Sequence, residues 1–154
     1  VKKNPRVIVM ATPMTIREEK FQKLLKQFTS RAQVISLPCP GLVEFVERGE
    51  LESEALDDFL SALFAPYRDE PIDAVVLGCT HYPLIRESIQ KSLGSGVAVF
   101  DGGAGTARET LRKLKEYQIL SDSTEQGTVV FENSTGDERM IELSRYLLER
   151  NLKH

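Results

Sequence analysis

The sequence IDAVVLGCTHYP, from Ile72 to Pro83, contains the most strand-like segment of the chain together with the point at which that strand ends. Residues 72–77 are mostly apolar and β-branched, which is typical of a strand buried inside a sheet. Gly78 and Pro83, which follow, cannot continue the strand. After them, apolar residues recur at helical spacing and predict a helix. The apolar positions of that helix are Leu84, Ile85, Ile89 and Leu93. The stretch therefore predicts a strand, a polar loop and a helix in succession.

The rest of the chain repeats this alternation of short apolar runs with amphipathic stretches, the pattern of parallel strands connected by crossover helices. Strands are also predicted at residues 6–11, 33–37, 97–100 and 128–132. Helices are predicted over residues 16–28, 42–46, 51–67 and 137–152, and from the glycine-rich segment after residue 100 to about residue 117. The sequence therefore predicts an α/β fold without an internal repeat.

The composition is that of a globular protein, with 154 residues of which 41% are hydrophobic and 28% charged. The 20 lysines and arginines are outnumbered by 23 aspartates and glutamates, so the net charge of −3 argues against nucleic acid as a partner. No apolar run approaches the roughly 18 residues that span a bilayer, and the apolar stretch near the start is too short for a signal sequence. These features predict a cytoplasmic protein that binds neither nucleic acid nor membranes.

The two cysteines, Cys39 and Cys79, lie far apart in the sequence and lack the CxxC spacing of zinc sites. Neither a structural disulfide nor a metal site is predicted. Cys39 stands between two prolines with no histidine nearby, and a structural role as a small buried side chain is favoured for it.

Cys79 and His81 follow the predicted strand at its carboxyl end, where open α/β sheets bind their ligands. A helix N-terminus stabilises a thiolate, and a histidine two residues away can accept or return its proton. The pair therefore suits acid/base or nucleophilic chemistry. The alternative is structural, with the thiol packed as a small hydrophobe and the imidazole satisfied by backbone groups.

A few other polar residues are candidates for the site, each with an ordinary structural explanation. Glu47 lies near the end of a short predicted helix and is a solvated surface carboxylate unless it has a partner in space. Thr12 and Thr15 flank a helix start, where they either cap the helix or bind a carboxylate. The segment DGGAGTA, residues 101–107, would suit an anion-binding nest, but its spacing matches neither GxGxxG nor the Walker pattern.

The heptapeptide GCTHYPL, from Gly78 to Leu84, resembles the second cysteine motif of the glutamate racemases, in the aspartate/glutamate racemase superfamily. Other segments resemble further elements of that family: ATPMTI at residues 11–16, CPGLVEFVERGE at 39–50, VFDGGAGTA at 99–107 and STGDERM at 134–140. The family's DSGxGG loop and its CNTA motif with the first cysteine do not occur in the sequence. The resemblance covers the whole chain and implies that part of the family pattern lies outside it.

The family fold implied by this resemblance has two α/β lobes with the active site between them. Residues 1–100 would be a complete three-layer parallel-sheet lobe of the aspartate/glutamate racemase type, carrying the GCTHYP motif. Residues 101–154 would be the returning C-terminal half of the other lobe, without its N-terminal half. Because the predicted strand at residues 128–132 would then lack its neighbours, we expect dimerisation, domain swapping or disorder in this part of the chain.

The activity implied by the resemblance is a cofactor-independent racemisation of L-glutamate to D-glutamate, which supplies bacterial peptidoglycan synthesis. One cysteine thiolate removes the α-proton, and the opposite cysteine thiol delivers a proton to the other face. Carried over by motif, Cys79 is one of the two bases, His81 tunes it, and Glu47 serves the other cysteine or its side of the site. The implied substrate-binding positions are Thr80, Thr12 and Thr15. No metal is implied, and the chain is expected to be a fragment that is inactive alone.

Two other functions remain open from the residues alone. One is a cysteine-dependent acyl-transfer hydrolase, in which Cys79 and His81 form a thioester and the amides of Thr80 or of DGGAGTA bind the oxyanion. The other is a non-catalytic module that binds a small carboxylate. Accumulation of a thioester would indicate the hydrolase, exchange of an α-proton the racemase, and binding without turnover the module. The sequence does not distinguish glutamate from aspartate as the substrate.

Overall fold

The structure is a computed structural model that describes residues 3–151 of the chain. The chain divides into two compact units, Val1–Asp101 and Gly102–His154. The boundary between them falls at the end of the last strand of the first unit. The assignment of the two parts to one complete and one incomplete racemase lobe stays a prediction.

The first unit is built on a parallel sheet that has four strands within the described residues. The strands are β1 (Arg6–Ala11), β2 (Gln33–Pro38), β3 (Ala74–Leu77) and β4 (Ala98–Asp101). They lie in the order β2, β1, β3, β4, and every neighbouring pair is parallel. The helices that connect them are α1 (Pro13–Arg17), α2 (Glu19–Lys26), α3 (Leu42–Glu47), α4 (Glu54–Phe64) and α5 (Arg86–Leu93). This architecture confirms the predicted α/β fold class.

The two central strands supply the middle of the core. Ile8, Met10 and Ala11 of β1 and Val75 of β3 have no exposed surface. Successive residues of a strand point to opposite faces, so burial at both Met10 and Ala11 means that β1 is covered on both sides. On the face covered by α3, α4 and α5, fully buried side chains provide this cover, among them Leu42, Leu56, Leu60 and Ile89.

The strand order fixes the face on which each helix lies. The connection from β1 to β2 runs in one direction across the sheet, whereas those from β2 to β3 and from β3 to β4 run in the other. Because crossovers between parallel strands are right-handed, α1 and α2 lie on one face and α3, α4 and α5 on the opposite face. α4 packs against α5, as this arrangement requires. The unit is therefore three-layered, and its topological switch point lies between the carboxyl ends of β1 and β3.

Two of the predicted helices are interrupted in the structure. The helix predicted over residues 16–28 is divided at Glu18, whose extended backbone separates α1 from α2. The helix predicted over residues 51–67 begins later, because the hydroxyl of Ser53 caps the start of α4. It ends in a short 3₁₀ turn at Ala65–Tyr67 that contains a proline, which cannot continue the α-helical hydrogen bonding.

The second unit contains α6 (Gly103–Glu116) and α7 (Glu138–Asn151). The prediction of a strand at residues 128–132 is wrong: residues 102–151 contain no paired strand, because a β-ladder needs a neighbouring strand and this unit provides none there. Val129 and Val130 are 64% and 75% exposed. Every described residue of this unit is at least partly exposed. The last position of the predicted terminal helix, residue 152, lies outside the described residues.

Candidate active site

The loop that follows β3 begins at Gly78, where the chain passes very close to the neighbouring strand β1. The N–H of Gly78 donates to the carbonyl of Met10 over 2.8 Å. A Cβ atom at position 78 would lie 2.7 Å from the same carbonyl oxygen, closer than such atoms approach in proteins. Only glycine therefore lets the chain leave the sheet here, and the turn brings the next residues to the switch point of the sheet.

Cys79, His81 and Glu47 form a row of ionisable side chains at this edge. The Sγ of Cys79 lies 3.8 Å from Nδ1 of His81, within hydrogen-bonding distance for sulfur, and the hydroxyl of Thr80 lies 3.4 Å from the same nitrogen. The Nε2 of His81 lies 3.7 Å from Oε1 of Glu47. The side chains of His81 and Glu47 are 35% and 50% exposed, so small molecules in solvent reach them. The thiol thus lies next to the imidazole, and the imidazole lies next to the carboxylate. In this order the imidazole can accept a proton from the thiol.

Glu47 reaches His81 because of the way α3 begins and ends. Gly41 precedes the helix with a φ of 85°, a left-handed conformation that favours glycine. Leu42 and Val46 are buried and fix the helix in the unit, which leaves Glu47 at its carboxyl end. The sequence offered Glu47 as a surface carboxylate or as a residue serving the opposite cysteine. The structure gives it a partner in His81 and so places it on the same side as the candidate thiol.

The backbone N–H groups of Cys79, Thr80 and His81 donate to no group within residues 3–151. The segment after them, Tyr82–Ile85, is a 3₁₀ turn, and α5 does not begin until Arg86. The helix dipole expected to stabilise the thiolate therefore acts from farther away than the sequence predicts, since its effect falls off within one turn. The free N–H groups are the nearer source of positive potential for an anion at this edge.

Tyr82 belongs to this site, and the sequence predicts it only as part of the GCTHYPL motif, with no role of its own. Its side chain has no exposed surface, and its hydroxyl donates to the carbonyl of Cys39 over 3.5 Å. Its N–H donates to the carbonyl of Cys79 over 3.3 Å. Burial raises the pKa of Tyr82, so the phenol stays protonated. Tyr82 therefore ties the loop that carries Cys79 to the loop after β2, and its place in the GCTHYPL motif was the signal in the sequence.

Cys39 follows β2 and has the environment of a structural thiol, as its sequence context predicts. Only 2% of its surface is exposed, and its Sγ donates to the carbonyl of Leu37 over 3.3 Å. Burial raises the pKa of Cys39 to about 12, and the nearby Cys79 contributes in the same direction. Cys39 is thus a neutral side chain of the core, whereas Cys79 is partly exposed.

Thr12 and Thr15 lie directly after β1, the other strand of the switch point. Thr12 is the N-cap of α1: its hydroxyl accepts the N–H of Thr15 over 3.2 Å, and the two hydroxyl oxygens are 2.9 Å apart. The capping alternative is therefore present in the structure. Because β1 pairs with β3, both threonines lie at the same edge of the sheet as Cys79. Substrate binding by their hydroxyls stays a prediction.

The glycine-rich segment is divided between the two units. Asp101 ends β4, and its carboxylate pairs with the guanidinium of Arg86, which also donates to the carbonyl of Val99 over 2.8 Å. These contacts join the end of β4 to the start of α5. In the second unit, the hydroxyl of Thr106 donates to the carbonyl of Gly102 over 2.9 Å and so fixes the first turn of α6. Anion binding by the segment stays a prediction.

Within residues 3–151, no group of three histidine, cysteine, aspartate or glutamate side chains is arranged to hold a metal ion. Among the helices of the same part of the chain, none is long and apolar enough to cross a membrane.

Comparison with known families covers the part of the chain that carries this site. The family model described as Asp/Glu/Hydantoin racemase matches residues 1–110, which include Cys79, His81 and Glu47. This chain belongs to the Asp/Glu/Hydantoin racemase family. The resemblance inferred from the GCTHYP motif is thereby confirmed at the level of the family.

Curated relatives within the racemase family are similar over nearly the whole chain. The chain is 43% identical over 143 residues to a glutamate racemase of Clostridium botulinum and 46% identical over 143 residues to one of Clostridium perfringens. Each match covers 93% of this chain and 55% of the relative. The chain therefore spans about half the length of the curated relatives it matches.

Solved structures of racemases share the fold. Escherichia coli glutamate racemase, in complex with L-glutamate and the activator UDP-MurNAc-ala, matches with a TM-score of 0.75 and 26% identity over 92% of this chain and 55% of that chain. Francisella tularensis glutamate racemase, in complex with D-glutamate, matches with a TM-score of 0.67 and 29% identity over 77% of this chain and 44% of that chain.

Proposed function

We propose that this chain contributes one catalytic thiol to a glutamate racemase, an isomerase that inverts the α-carbon of glutamate. The observation that carries the proposal is the row formed by Cys79, His81 and Glu47 at the switch point of the sheet. The curated relatives are glutamate racemases, and two of the similar solved structures hold L-glutamate or D-glutamate. These likenesses favour glutamate over aspartate as the substrate.

Cys79 is the group that exchanges a proton with the α-carbon in this proposal. The α-proton of an amino acid is weakly acidic, so its removal needs a base held in contact with it. His81 accepts or returns the thiol proton through Nδ1, 3.8 Å from Sγ. Glu47, 3.7 Å from Nε2, orients the imidazole and stabilises its protonated form. Both partners therefore act on the substrate through Cys79.

The surroundings of Cys79 suit a substrate with a carboxylate. The free N–H groups of residues 79–81 and the hydroxyl of Thr80 lie beside the thiol and can donate to an anion. Thr12 and Thr15 present further hydroxyls at the neighbouring strand end. Binding a carboxylate with these donors would hold the α-carbon of glutamate against the sulfur of Cys79.

Inversion needs a second proton carrier on the face opposite Cys79, and the other cysteine of the chain does not suit that role. Cys39 is buried, its thiol donates to a carbonyl, and its pKa is raised to about 12. We therefore place the second group outside this sequence, with residues 1–100 as the lobe that carries Cys79 and residues 101–154 as part of the other lobe. The chain alone is then expected not to racemise glutamate.

The cellular role in this proposal is the supply of D-glutamate for peptidoglycan, in the cytoplasm. The reaction requires Cys79 as a free thiol, and a reducing compartment preserves free thiols. Both cysteines of the chain are free. The substrate is a small molecule, and neither nucleic acid nor a membrane takes part in the proposed reaction.

We also propose that residues 102–154 associate with a second copy of the chain when no other lobe covers them. Tyr117, Ile119, Val129 and Val130 are each more than half exposed, and every described residue of this unit has exposed surface. Large apolar side chains are rarely left exposed together in monomeric proteins. A homo-oligomer formed through this unit would remove them from water.

The racemase proposal is tested with a chimaera in which this chain replaces the matching 143 residues of the Clostridium perfringens relative. Circular dichroism follows the loss of optical activity of L-glutamate. We expect the chimaera to racemise glutamate, Cys79→Ala to lower the rate at least ~100-fold, and Cys39→Ala to leave it close to that of the parent chimaera. A folded Cys79→Ala chimaera that still racemises at the parent rate would contradict the proposal.

A further inference from the structure

The three side chains of the site also suit a reaction that uses only one face of its substrate. Cys79, His81 and Glu47 all lie in the first unit and stand in the order nucleophile, base and carboxylate. That order activates a thiol for attack on a carbonyl carbon. We propose that the chain hydrolyses small activated carboxylic esters through an acyl intermediate on Cys79. This activity goes beyond the proposed racemisation and does not depend on it, because no group on an opposite face takes part.

The site is open enough for an ester to reach the sulfur. Cys79 is partly exposed, and the side chains of His81 and Glu47 are about one third and one half exposed. Cys39 differs on each count, since it is buried and its thiol donates to the carbonyl of Leu37. Of the two thiols, Cys79 alone therefore combines access with a neighbouring base.

The backbone beside Cys79 supplies donors for the negative oxygen that forms during attack. The N–H groups of Cys79, Thr80 and His81 have no acceptor within the described residues. Consecutive free N–H groups next to a nucleophile can bind an oxyanion, and fixed donors of this kind are a major source of stabilisation in acyl transfer. The same donors that suit a carboxylate therefore also suit a tetrahedral intermediate.

The steps balance with ester and water as the only reactants. The proton on Sγ passes to Nδ1 of His81, Sγ bonds to the carbonyl carbon, and one carbonyl electron pair moves onto oxygen. When that pair returns, the C–O bond breaks and His81 gives its proton to the departing oxygen. Water then attacks the thioester and passes a proton to His81, the C–S bond breaks, and Cys79 recovers its proton. Glu47 stabilises His81 while it is protonated.

The test uses p-nitrophenyl acetate in excess over the whole chain, with release of p-nitrophenolate followed by its absorbance. We expect an initial burst followed by continued turnover, with one acetyl group found on Cys79 by mass spectrometry. Cys79→Ala should remove the burst and lower turnover at least ~100-fold. Cys39→Ala is the matched control thiol, and it should keep both the burst and the turnover because Cys39 is buried and neutral.

The roles of the other two side chains are separated by their variants. His81→Asn should still be acetylated slowly at Cys79 but should lose turnover at least ~10-fold, because deacylation needs the base. Glu47 is a positioning residue that acts through His81, so Glu47→Gln should lower kcat several-fold at unchanged KM. Glu44→Gln changes an exposed carboxylate one turn earlier on the same helix and should leave kcat unchanged.

Three results would overturn the proposal, each with the fold of the variant checked by far-UV circular dichroism. They are turnover that persists in Cys79→Ala, acetylation without turnover in the unmodified chain, and equal kcat values for Glu47→Gln and Glu44→Gln. None of them bears on the glutamate assay, which uses another substrate and requires a second acid/base group.

Discussion

At the scale of single residues, the chain places its two thiols in opposite environments. Cys39 follows β2 as a buried side chain between two exposed prolines, and its sulfur donates to a backbone carbonyl. Cys79 follows β3 at an open edge, with the imidazole of His81 at 3.8 Å. The chemistry of a cysteine depends on its thiolate, so these two environments assign the chemistry to Cys79 and packing to Cys39.

Iodoacetamide should therefore alkylate Cys79 and spare Cys39 in the folded chain. Burial holds the pKa of Cys39 at about 12, and alkylation requires the thiolate. Near pH 8 we expect Cys39 to react at least ~100-fold more slowly than Cys79. Peptide mapping by mass spectrometry measures both sites in one sample, with the denatured chain as the control in which both react alike. Equal labelling of the folded chain would contradict this assignment.

The free energy of unfolding should fall as the pH rises above about 9. The pKa of Cys39 is raised from 9.0 to about 12 by folding, so between these values the folded chain keeps a proton that the unfolded chain has lost. The unfolded state then binds fewer protons, and stability decreases by up to about 1.4 kcal/mol per pH unit. Urea titrations at several pH values measure this slope.

Variants of the two cysteines show whether Cys39 causes this slope, with Cys79→Ala as the control. Cys39→Ala should flatten the decrease between about pH 9 and the onset of tyrosine ionisation, whereas Cys79→Ala should keep most of it. Tyr82 adds a fall of the same sign at higher pH, because burial also raises its pKa. A slope that is unchanged in Cys39→Ala would show that another group causes the decrease.

At the scale of elements, the site exists because neighbouring strands end at one edge. β1 leads into Thr12 and Thr15, β3 leads into Cys79, and their pairing brings these residues together. The helices α1 and α5 leave toward opposite faces, the arrangement at which open α/β sheets bind their ligands. This arrangement of strand ends requires glycine at position 78, because β1 passes too close to that residue to leave room for a side chain.

Gly78→Ala should consequently destabilise the first unit. The new Cβ would lie 2.7 Å from the carbonyl oxygen of Met10, so either β1 or the loop must shift. Overpacking of this kind costs about 1–3 kcal/mol. Gly96→Ala is the matched control, since nothing lies within 4 Å of a Cβ there, and urea unfolding compares the two. Equal free energies of unfolding for the two variants would show that the close approach of β1 to residue 78 does not exclude a side chain there.

Much of the first unit could be predicted from the sequence, for physical reasons. Central parallel strands are covered on both faces, so β1 and β3 appear as apolar runs that need no knowledge of their neighbours. Helix ends depend on local capping and backbone breaks, which is why the start of α4 at Ser53 and the break at Glu18 were missed. The strand predicted at residues 128–132 failed because pairing depends on a partner that a linear pattern does not reveal.

The site shows the same division between local and distant information. Cys79 and His81 are two residues apart, so their proximity is visible in the sequence. The contact of Glu47 with His81 depends on the packing of α3, and no local pattern predicts it. Tyr82 was missed because its role comes from burial against the loop of Cys39, and burial of one aromatic side chain is decided by the assembled fold.

At the scale of the whole molecule, the two units differ in how much of each is buried. The first contains fully buried side chains such as Ile8, Leu56 and Ile89. The second has exposed surface at every described residue from 102 to 151. Stability follows buried apolar area, so we expect the second unit to open more readily and to depend on association for its order.

Self-association through the second unit should therefore depend on its exposed valines. Val130→Lys places a charge on a residue that is 75% exposed, and a charge is costly to bury at an apolar contact. We expect dissociation of the oligomer to become at least ~10-fold easier by analytical ultracentrifugation. Met14→Lys is the control, because Met14 is 68% exposed but lies in the first unit. A chain that stays monomeric at every accessible concentration would contradict the expectation.

The central claim is that Cys79 serves one face of the α-carbon of glutamate while a different group serves the other. It is tested most directly by racemisation of L-glutamate in deuterated water by the chimaera, with the two enantiomers separated on a chiral column at early times and the deuterium at the α-position of each measured by mass spectrometry. If one thiol removes the proton on one face and a second group delivers deuterium on the other, the D-glutamate that forms contains deuterium at the α-position. The remaining L-glutamate keeps its α-proton. Deuterium appearing equally in both enantiomers from the start would contradict the account, because a single group would then serve both faces.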